Sequence, residues 1–378
     1  MNLLFVEDEE YSFIYKEFEK SGHMCIYAER PYGSDEEYLT YLMTTIAGNN
    51  IGAVVSLSFY KFISLACNIS QIPYICWLIR GYDPINFDYT IRNELNYIFC
   101  ADIDTYEVLR RGGVKNVEYM PLCPTITKDD GKQPTKDVLF WAEDIQELQS
   151  VSLQMDLLKD ATKGYLDGVL NSKKADLRQK EIFNNLAIYV REEIEKNYPM
   201  EDEDLESLPH KYDYQMLLPM LEYKPEHIML YHLSAAWNKA VYGIDVLTKN
   251  ADVHRFDNDR LSYYDYSSFV NSKDKSPDDY RIVIFFPGFA KSSMLTIDMI
   301  NVMMSNSLLI CPGYMDDRIL RESGAVFFRN RYELDRHINH YLEDESARRQ
   351  KVAECRGMIC NDGESYRDRL DHIISRIE

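Results

Sequence analysis

Short apolar runs alternate with longer amphipathic stretches along most of the chain. Residues 2–6, 24–27, 52–55, 74–77, 97–100 and 117–119 are runs of a few aliphatic, aromatic or β-branched residues bounded by turn formers. That is the pattern of strands buried on both faces. Between them, residues up to Lys20 and residues 35–46, 59–69 and 103–112 carry apolar residues at helical spacing. Ser21-Gly22-His23 closes the first of these helices, with Gly22 suited to a left-handed cap and His23 a turn residue. Strands alternating with helices of this length predict βαβ units and a parallel sheet.

Residues 121–136, PLCPTITKDDGKQPTK, break the alternation with Pro, Lys, Asp and Thr, the composition of an interdomain linker. A strand at 138–141 then opens a second domain. Residues 143–248 are predominantly helical, clearest at 145–160, 173–197 and 226–247, with the acidic EDEDLE (201–206) as an exposed break. A strand follows at 251–256 and an aromatic turn at 262–269. Strand 282–286, the Pro287-Gly288 loop, helix 294–304 and strand 308–311 make the clearest βαβ unit. Met294, Ile297, Val302 and Met304 supply its helical spacing. Helix 316–323, strand 325–328 and helices 331–342, 345–358 and 365–377 end the chain. The expected fold class is therefore α/β, with two Rossmann-like domains and a helical insertion in the second half. The boundaries read as an N-terminal domain at 1–122, a linker at 123–136, and a C-terminal domain at 137–355 that contains the helical segment 143–248. Residues 356–378 read as a C-terminal helix returning toward the N-terminal domain. No internal repeat and no low-complexity tract interrupts this plan.

A length of 378 residues suits two domains, each with its own core. The formal net charge of −20 argues against nucleic acid as a partner, because phosphate-backbone contact needs a basic surface. A local basic cleft for a small phosphorylated ligand remains compatible with it. The eight cysteines show no C-x-x-C or disulfide-like spacing, and read as buried thiols of a reducing compartment. The N-terminus lacks the basic region and apolar length of a signal peptide, and no window reaches the length of a membrane span. The expected localisation is cytoplasmic. His227 and His232, five apart, do not share a helical face, and His337 and His340 lack a convergent acid or Cys, so no metal site is expected. No Walker A, G-x-S-x-G or H-E-x-x-H motif occurs.

In an open α/β sheet, anionic ligands bind where a strand's carboxyl end meets the next helix N-terminus. The loop from Gly288 to Ser293 is that place in the clearest βαβ unit, so a phosphorylated ligand is expected there. Asp83, in Arg80-Gly81-Tyr82-Asp83-Pro84, either acts as a base on an acceptor hydroxyl or only initiates the turn before Pro84. Tyr264, within Tyr263-Tyr264-Asp265-Tyr266, either stacks on a nucleobase or is one of a chance cluster among 29 tyrosines. Trp77 reads as core. The acids Glu7 to Glu10 crowd the loop after the first strand, where they would repel phosphate. They read as a solvated acidic helix start, or as part of an acceptor site.

Several stretches carry a resemblance to a known family. The segment from Cys76-Trp77 to Asp83-Pro84, NYIFCAD (96–102) and GGVKNVEYMPL (112–122) resemble the N-terminal half of the spore-maturation-protein-like (CgeB-type) bacterial glycosyltransferases. KGYLDG (163–168), Ala290-Lys291-Ser292 and LLICPGY (308–314) resemble segments of that family's second half. The final ESARRQKVAECRGMICNDGESYRDRL resembles the Arg-rich helix and tail of many group 1 glycosyltransferases. The resemblance implies the GT-B architecture. It further implies a nucleotide-diphosphate sugar held mainly by the C-terminal half, a glycan, protein or small-molecule acceptor met by the N-terminal half, and chemistry in the cleft between. Such a fold requires no metal and no further cofactor, because helix N-termini and a Lys or Arg neutralise the leaving diphosphate.

On that reading Gly288, Lys291, Ser292 and Ser293 hold the diphosphate, Asp298 or Asn301 accepts from the ribose, and Lys291 and Asp83 are the candidate catalytic residues. Lys291 is otherwise a solvated loop lysine. The chain departs from the family's pattern at 297–306, which lacks the usual Arg, acid and small-Gly turn. That departure motivates an alternative, a noncatalytic GT-B subunit that binds an acceptor or a partner transferase. A sugar-isomerising Rossmann pair shares the fold but lacks recognisable catalytic acids. A homo- or hetero-oligomer is left open.

Overall fold

A computed structural model describes residues 1–6, 12–20, 22–28, 35–79, 89–124, 133–142, 159–162, 164–165, 168, 277–286, 293–313, 315–361 and 365–377. Most of the expected helical segment, the strand expected at 251–256 and the acids at 7–10 lie outside the described residues. The described residues fall into two compact units, one holding 1–124 and 365–377, the other 133–361. Each is an α/β layer structure built on a parallel sheet, and the expected fold class of two Rossmann-like domains is what the structure has.

In the first unit the strands are β1 (Asn2–Val6), β2 (Met24–Ala28), β3 (Ala53–Ser56), β4 (Tyr74–Leu78), β5 (Asn96–Cys100) and β6 (Val117–Tyr119). They lie in the order β2-β1-β3-β4-β5-β6, all parallel. The connecting helices are α1 (Ser12–Lys20), α2 (Asp35–Gly48), α3 (Lys61–Ser70) and α4 (Ile103–Arg111). The chain runs outward from β1 to β2 and then back across to β3, so the topological switch point lies between β1 and β3.

The period of two along each strand splits the core into two faces. Leu4, Val6, Val54, Tyr74, Cys76, Leu78, Ile98 and Cys100 pack with Tyr38, Leu42 and Ile46 of α2, Ile63 and Cys67 of α3, and Leu109 of α4. On the opposite face Phe5 meets Tyr15 and Phe18 of α1, with ring centroids 4.7 and 5.1 Å apart. The last described helix, α9 (Tyr366–Ile377), packs on that face beside α1. Its Tyr366 ring lies 5.9 Å from Trp77 and 5.7 Å from Phe13, and Leu370 and Ile373 are fully buried.

The second unit has β7 (Lys136–Ala142), β8 (Tyr280–Phe286), β9 (Leu308–Pro312) and β10 (Val326–Phe328), in the order β10-β9-β8-β7 and all parallel. Its described helices are α5 (Ile297–Met304), α6 (Arg318–Glu322), α7 (Arg331–Glu343) and α8 (Glu345–Asn361). Helix α5 starts later than the sequence pattern suggests. Thr296 takes an extended conformation and caps it, accepting the Met299 N–H at 3.2 Å. Met294 therefore lies before the helix, and the buried face is Met299, Ile300, Val302 and Met303.

At the amino ends of β7, β8 and β9 a buried arginine, Arg348 of α8, ties the unit together. Its side chain is 1% exposed. It donates to the carbonyls of Arg281 (3.1 Å) and Asn306 (2.7 Å) and to both carboxylate oxygens of Glu345 (2.9 and 2.7 Å). Arg281 in turn donates to Asp137, Glu345 and the Leu342 carbonyl. These bonds, first from Arg348 and then from Arg349 and Arg281, pull the Glu345 carboxyl down from 4.5 to about 2 against the opposing effect of desolvation. A carboxylate held low in the folded state contributes stability above its unfolded value and loses it as pH falls through the folded value. The second unit is accordingly expected to weaken between about pH 4.5 and pH 2, and Glu345→Gln to flatten that part of its acid-unfolding profile. Matching slopes for the two proteins in an acid titration followed by circular dichroism would remove Glu345 from the account.

Candidate functional site

Strands β8 and β9 are hydrogen-bonded parallel neighbours, in register from Ile282↔Leu308 to Ile284↔Ile310. The carboxyl ends of the two strands, at Phe286 and Pro312, therefore lie at the same end of the sheet. Gly288, Lys291 and Ser292 lie outside the described residues, as do Asp83 and Tyr264. Ser293 is described and buried, 2% exposed, and leads through buried Met294 and Leu295 to the Thr296 cap. Asp298 stands half-exposed in the first turn of α5, and Asn301 is exposed three residues on. One helical turn separates the two, about 4.5 Å along the axis, so they share a face. Thr296 and Asp298 thus stand at the start of α5, with buried Ser293 three residues before the cap and Asn301 three residues after Asp298.

The neighbouring segment is held tightly. Gly313, just past β9, donates its N–H to the Phe328 carbonyl at 2.8 Å, and Met315 donates to Pro312 at 3.1 Å. Asp317, 1% exposed, caps α6 by accepting the Leu320 N–H at 2.9 Å. Arg321 of α6 reaches back to donate to the Gly313 carbonyl at 2.8 Å and to the Met315 carbonyl. Its guanidinium lies over the Phe327 ring, 4.2 Å from the centroid. Nothing in the apolar spacing of the sequence marks Arg321. It stands on the exposed side of a five-residue helix, and its role depends on the backbone path of 313–317.

No protein-family model and no curated protein matches the chain. Among solved structures it is similar to HepE of Anabaena, determined in complex with UDP, at 8% identity over 100% of both chains and a TM-score of 0.47. It is likewise similar to a glycosyltransferase from Rickettsia africae, at 9% identity over 99% of this chain and 98% of that one, TM-score 0.49. A third is the spinosyn forosaminyltransferase SpnP, at 10% identity over 100% and 99% of the two chains, TM-score 0.41.

Other residues of interest have structural settings. Trp77 is 1% exposed and donates its indole N–H to the Met120 carbonyl at 3.0 Å. The Tyr74 hydroxyl lies 2.7 Å from Ser56 Oγ and accepts the Tyr60 N–H at 3.0 Å, fastening the turn after β3. Burial pushes the Tyr74 hydroxyl well above its ordinary value and the Cys76 thiol to about 12, so both stay neutral. His340 packs its ring against Tyr341, and desolvation lowers half-buried His337. Among the described residues no group of three or more His, Cys, Asp or Glu could hold a metal ion. No described helix is long and apolar enough to cross a membrane.

Proposed function

We propose that the protein is a glycosyltransferase of GT-B architecture, moving a sugar from a nucleotide-diphosphate donor to a glycan, protein or small-molecule acceptor without a metal. Residues 137–355 hold the donor and residues 1–122 meet the acceptor. The observation that supports this reading is the parallel pairing of β8 with β9, the strands that precede the Gly288–Ser293 loop and end in LLICP, with their carboxyl ends on one side of the sheet. Neighbouring carboxyl ends of a parallel sheet, one feeding a capped helix, present backbone N–H groups and a positive dipole end to an anion.

In this mechanism Lys291 and the amides of Ser292 and Ser293 stabilise the diphosphate as the bond to the sugar breaks. Charge develops on the leaving oxygens, so donors fixed before the reaction lower the barrier without reorganising during it. Asp298 accepts from the ribose hydroxyls, with Asn301 beside it, and Tyr264 stacks on the base. Asp83 takes the proton of the acceptor hydroxyl. A second reading, a noncatalytic subunit, draws on α5 itself, whose eight residues include no basic one to meet a phosphate.

Lys291→Ala separates these readings. It is expected to weaken binding of the cognate nucleoside diphosphate by about tenfold or more, the worth of one charge-assisted hydrogen bond, with an unchanged melting temperature. Unchanged affinity in calorimetry would take Lys291 out of the site. A wild-type protein that binds no nucleotide but forms a stable complex with another transferase would favour the second reading.

A further inference from the structure

We infer that β2 is an interface strand, pairing antiparallel with β2 of a second copy of this chain. The inference is independent of the donor-site reading. Among the described residues four strands edge the two sheets, β2 and β6 in the first, β10 and β7 in the second. An open edge is a template for further pairing, and proteins blunt such edges with short strands, charge or proline. β6 and β10 have three residues each, and β6 carries Glu118, engaged by His372 and Arg376. β7 opens on Lys136 and Asp137. β2, MCIYA, is five residues long and holds neither charge nor proline.

The β2 edge is apolar as well as unguarded. Met24 is 62% exposed, Tyr27 41%, and Met1, whose carbonyl accepts the Met24 N–H, 45%. Half of the exposed large hydrophobic residues among the described ones thus gather at this edge. The Met24 bond aims that residue's main chain at β1, and the alternation along a strand does the same for Ile26 and Ala28. The N–H and C=O groups of Cys25 and Tyr27 therefore point off the sheet. These two residues flank Ile26 symmetrically, which makes the strand its own complement. About a two-fold axis at Ile26, Cys25 of each copy faces Tyr27 of the other, and each pair exchanges both its main-chain bonds. Ile26 then meets Ile26 of the second copy with Cα atoms about 4.5 Å apart. A net charge of −20 on each chain opposes close approach of two copies, and an uncharged strip opposes it least. Five residues bury well under the ~800 Å² per partner of a standard interface, so a reversible dimer of roughly micromolar affinity is expected.

The test is sedimentation equilibrium of the full chain from about 5 to 500 µM, with Cys25→Pro and Ile26→Cys beside wild type. Wild type is expected to pass from the mass of one chain to that of two and to stop there, because an isologous contact closes. Cys25→Pro removes an outward donor that the single chain does not use, a change edge strands accept. It is expected to raise the dimer dissociation constant about tenfold or more. Ile26→Cys sets two thiols across the axis at a separation a disulfide spans. Diamide oxidation is expected to give a covalent dimer of that variant on a non-reducing gel, and none of wild type with its half-buried Cys25 and exposed Cys360. A wild type that stays one chain at every concentration overturns the inference, as does an assembly larger than two. A dimer unchanged by Cys25→Pro, or not cross-linked through Ile26→Cys, is built on another surface and overturns it equally. Should Cys25→Pro fail to fold, the cross-link alone decides.

Discussion

Removing residues 364–378 is expected to unfold the first unit while the second keeps its cooperative transition. Helix α9 is the last described element in sequence, yet its Tyr366 packs on Trp77 of β4 and on Phe13 of α1. Tyr366, Leu370, Ile373 and Ile374 are each between 0% and 8% exposed. At about 1.5–3 kcal/mol per fully buried large side chain, four of them contribute roughly 6–12 kcal/mol. That matches the entire net stability of a typical domain, about 5–15 kcal/mol. The deletion would also uncover Trp77 and Phe13, which Tyr366 touches edge-on or at a tilt. Point variants grade the same effect, with Ile373→Ala costing about 2–5 kcal/mol, since its side chain is wholly buried. Urea unfolding followed by hydrogen exchange resolved along the chain is the measurement. Native protection of β1, β3 and β4 in the truncated protein would show that α9 is dispensable.

The second large effect concerns Arg348. Arg348→Met keeps the aliphatic bulk of the side chain but leaves the Arg281 and Asn306 carbonyls without their donor and strips two bonds from Glu345. Loss of one partner from such a buried network is expected to cost about 3–5 kcal/mol. The neighbouring Arg349 provides the control. It bonds the same carboxylate at 2.7 Å, but its side chain is 63% exposed. Arg349→Ala is therefore expected to cost under about 1 kcal/mol. Chemical denaturation of the two variants compares a buried arginine with an exposed one on a single carboxylate. Equal, small losses would mean that the clamp at the strand ends adds nothing to stability.

The Arg-rich helix near the C-terminus shows where sequence reading stops. Its likeness to a transferase tail points toward function, whereas Arg348 and Arg356 are bonded to backbone at the amino ends of the strands, opposite the expected ligand end. Only the folded backbone reveals that, because both arginines look solvent-facing in a helix with weak apolar periodicity. The alternation of strands and helices, by contrast, is legible almost throughout. Runs such as Val117–Tyr119 and Leu308–Pro312 have turn formers on both sides and no competing helical spacing. Strand order is less legible. The pairing of β7 with β8 joins residues some 140 positions apart, and no local pattern encodes it. The start of α5 was shifted by a capping threonine inside an apolar stretch, where periodicity alone extends the helix backward. At the candidate site, the loop position follows from the βαβ pattern, while the pinning of 313–317 by Arg321 depends on carbonyl directions that no residue type announces.

On the proposed function, the second unit grips a nucleoside diphosphate through main-chain amides and Lys291. Isothermal titration of the full chain with UDP, GDP and ADP in the presence of EDTA tests it most directly. The expected result is saturable one-to-one binding of at least one of them, weakened about tenfold or more in Lys291→Ala. Silence with all three, or binding that appears only when a divalent cation is added, would contradict it.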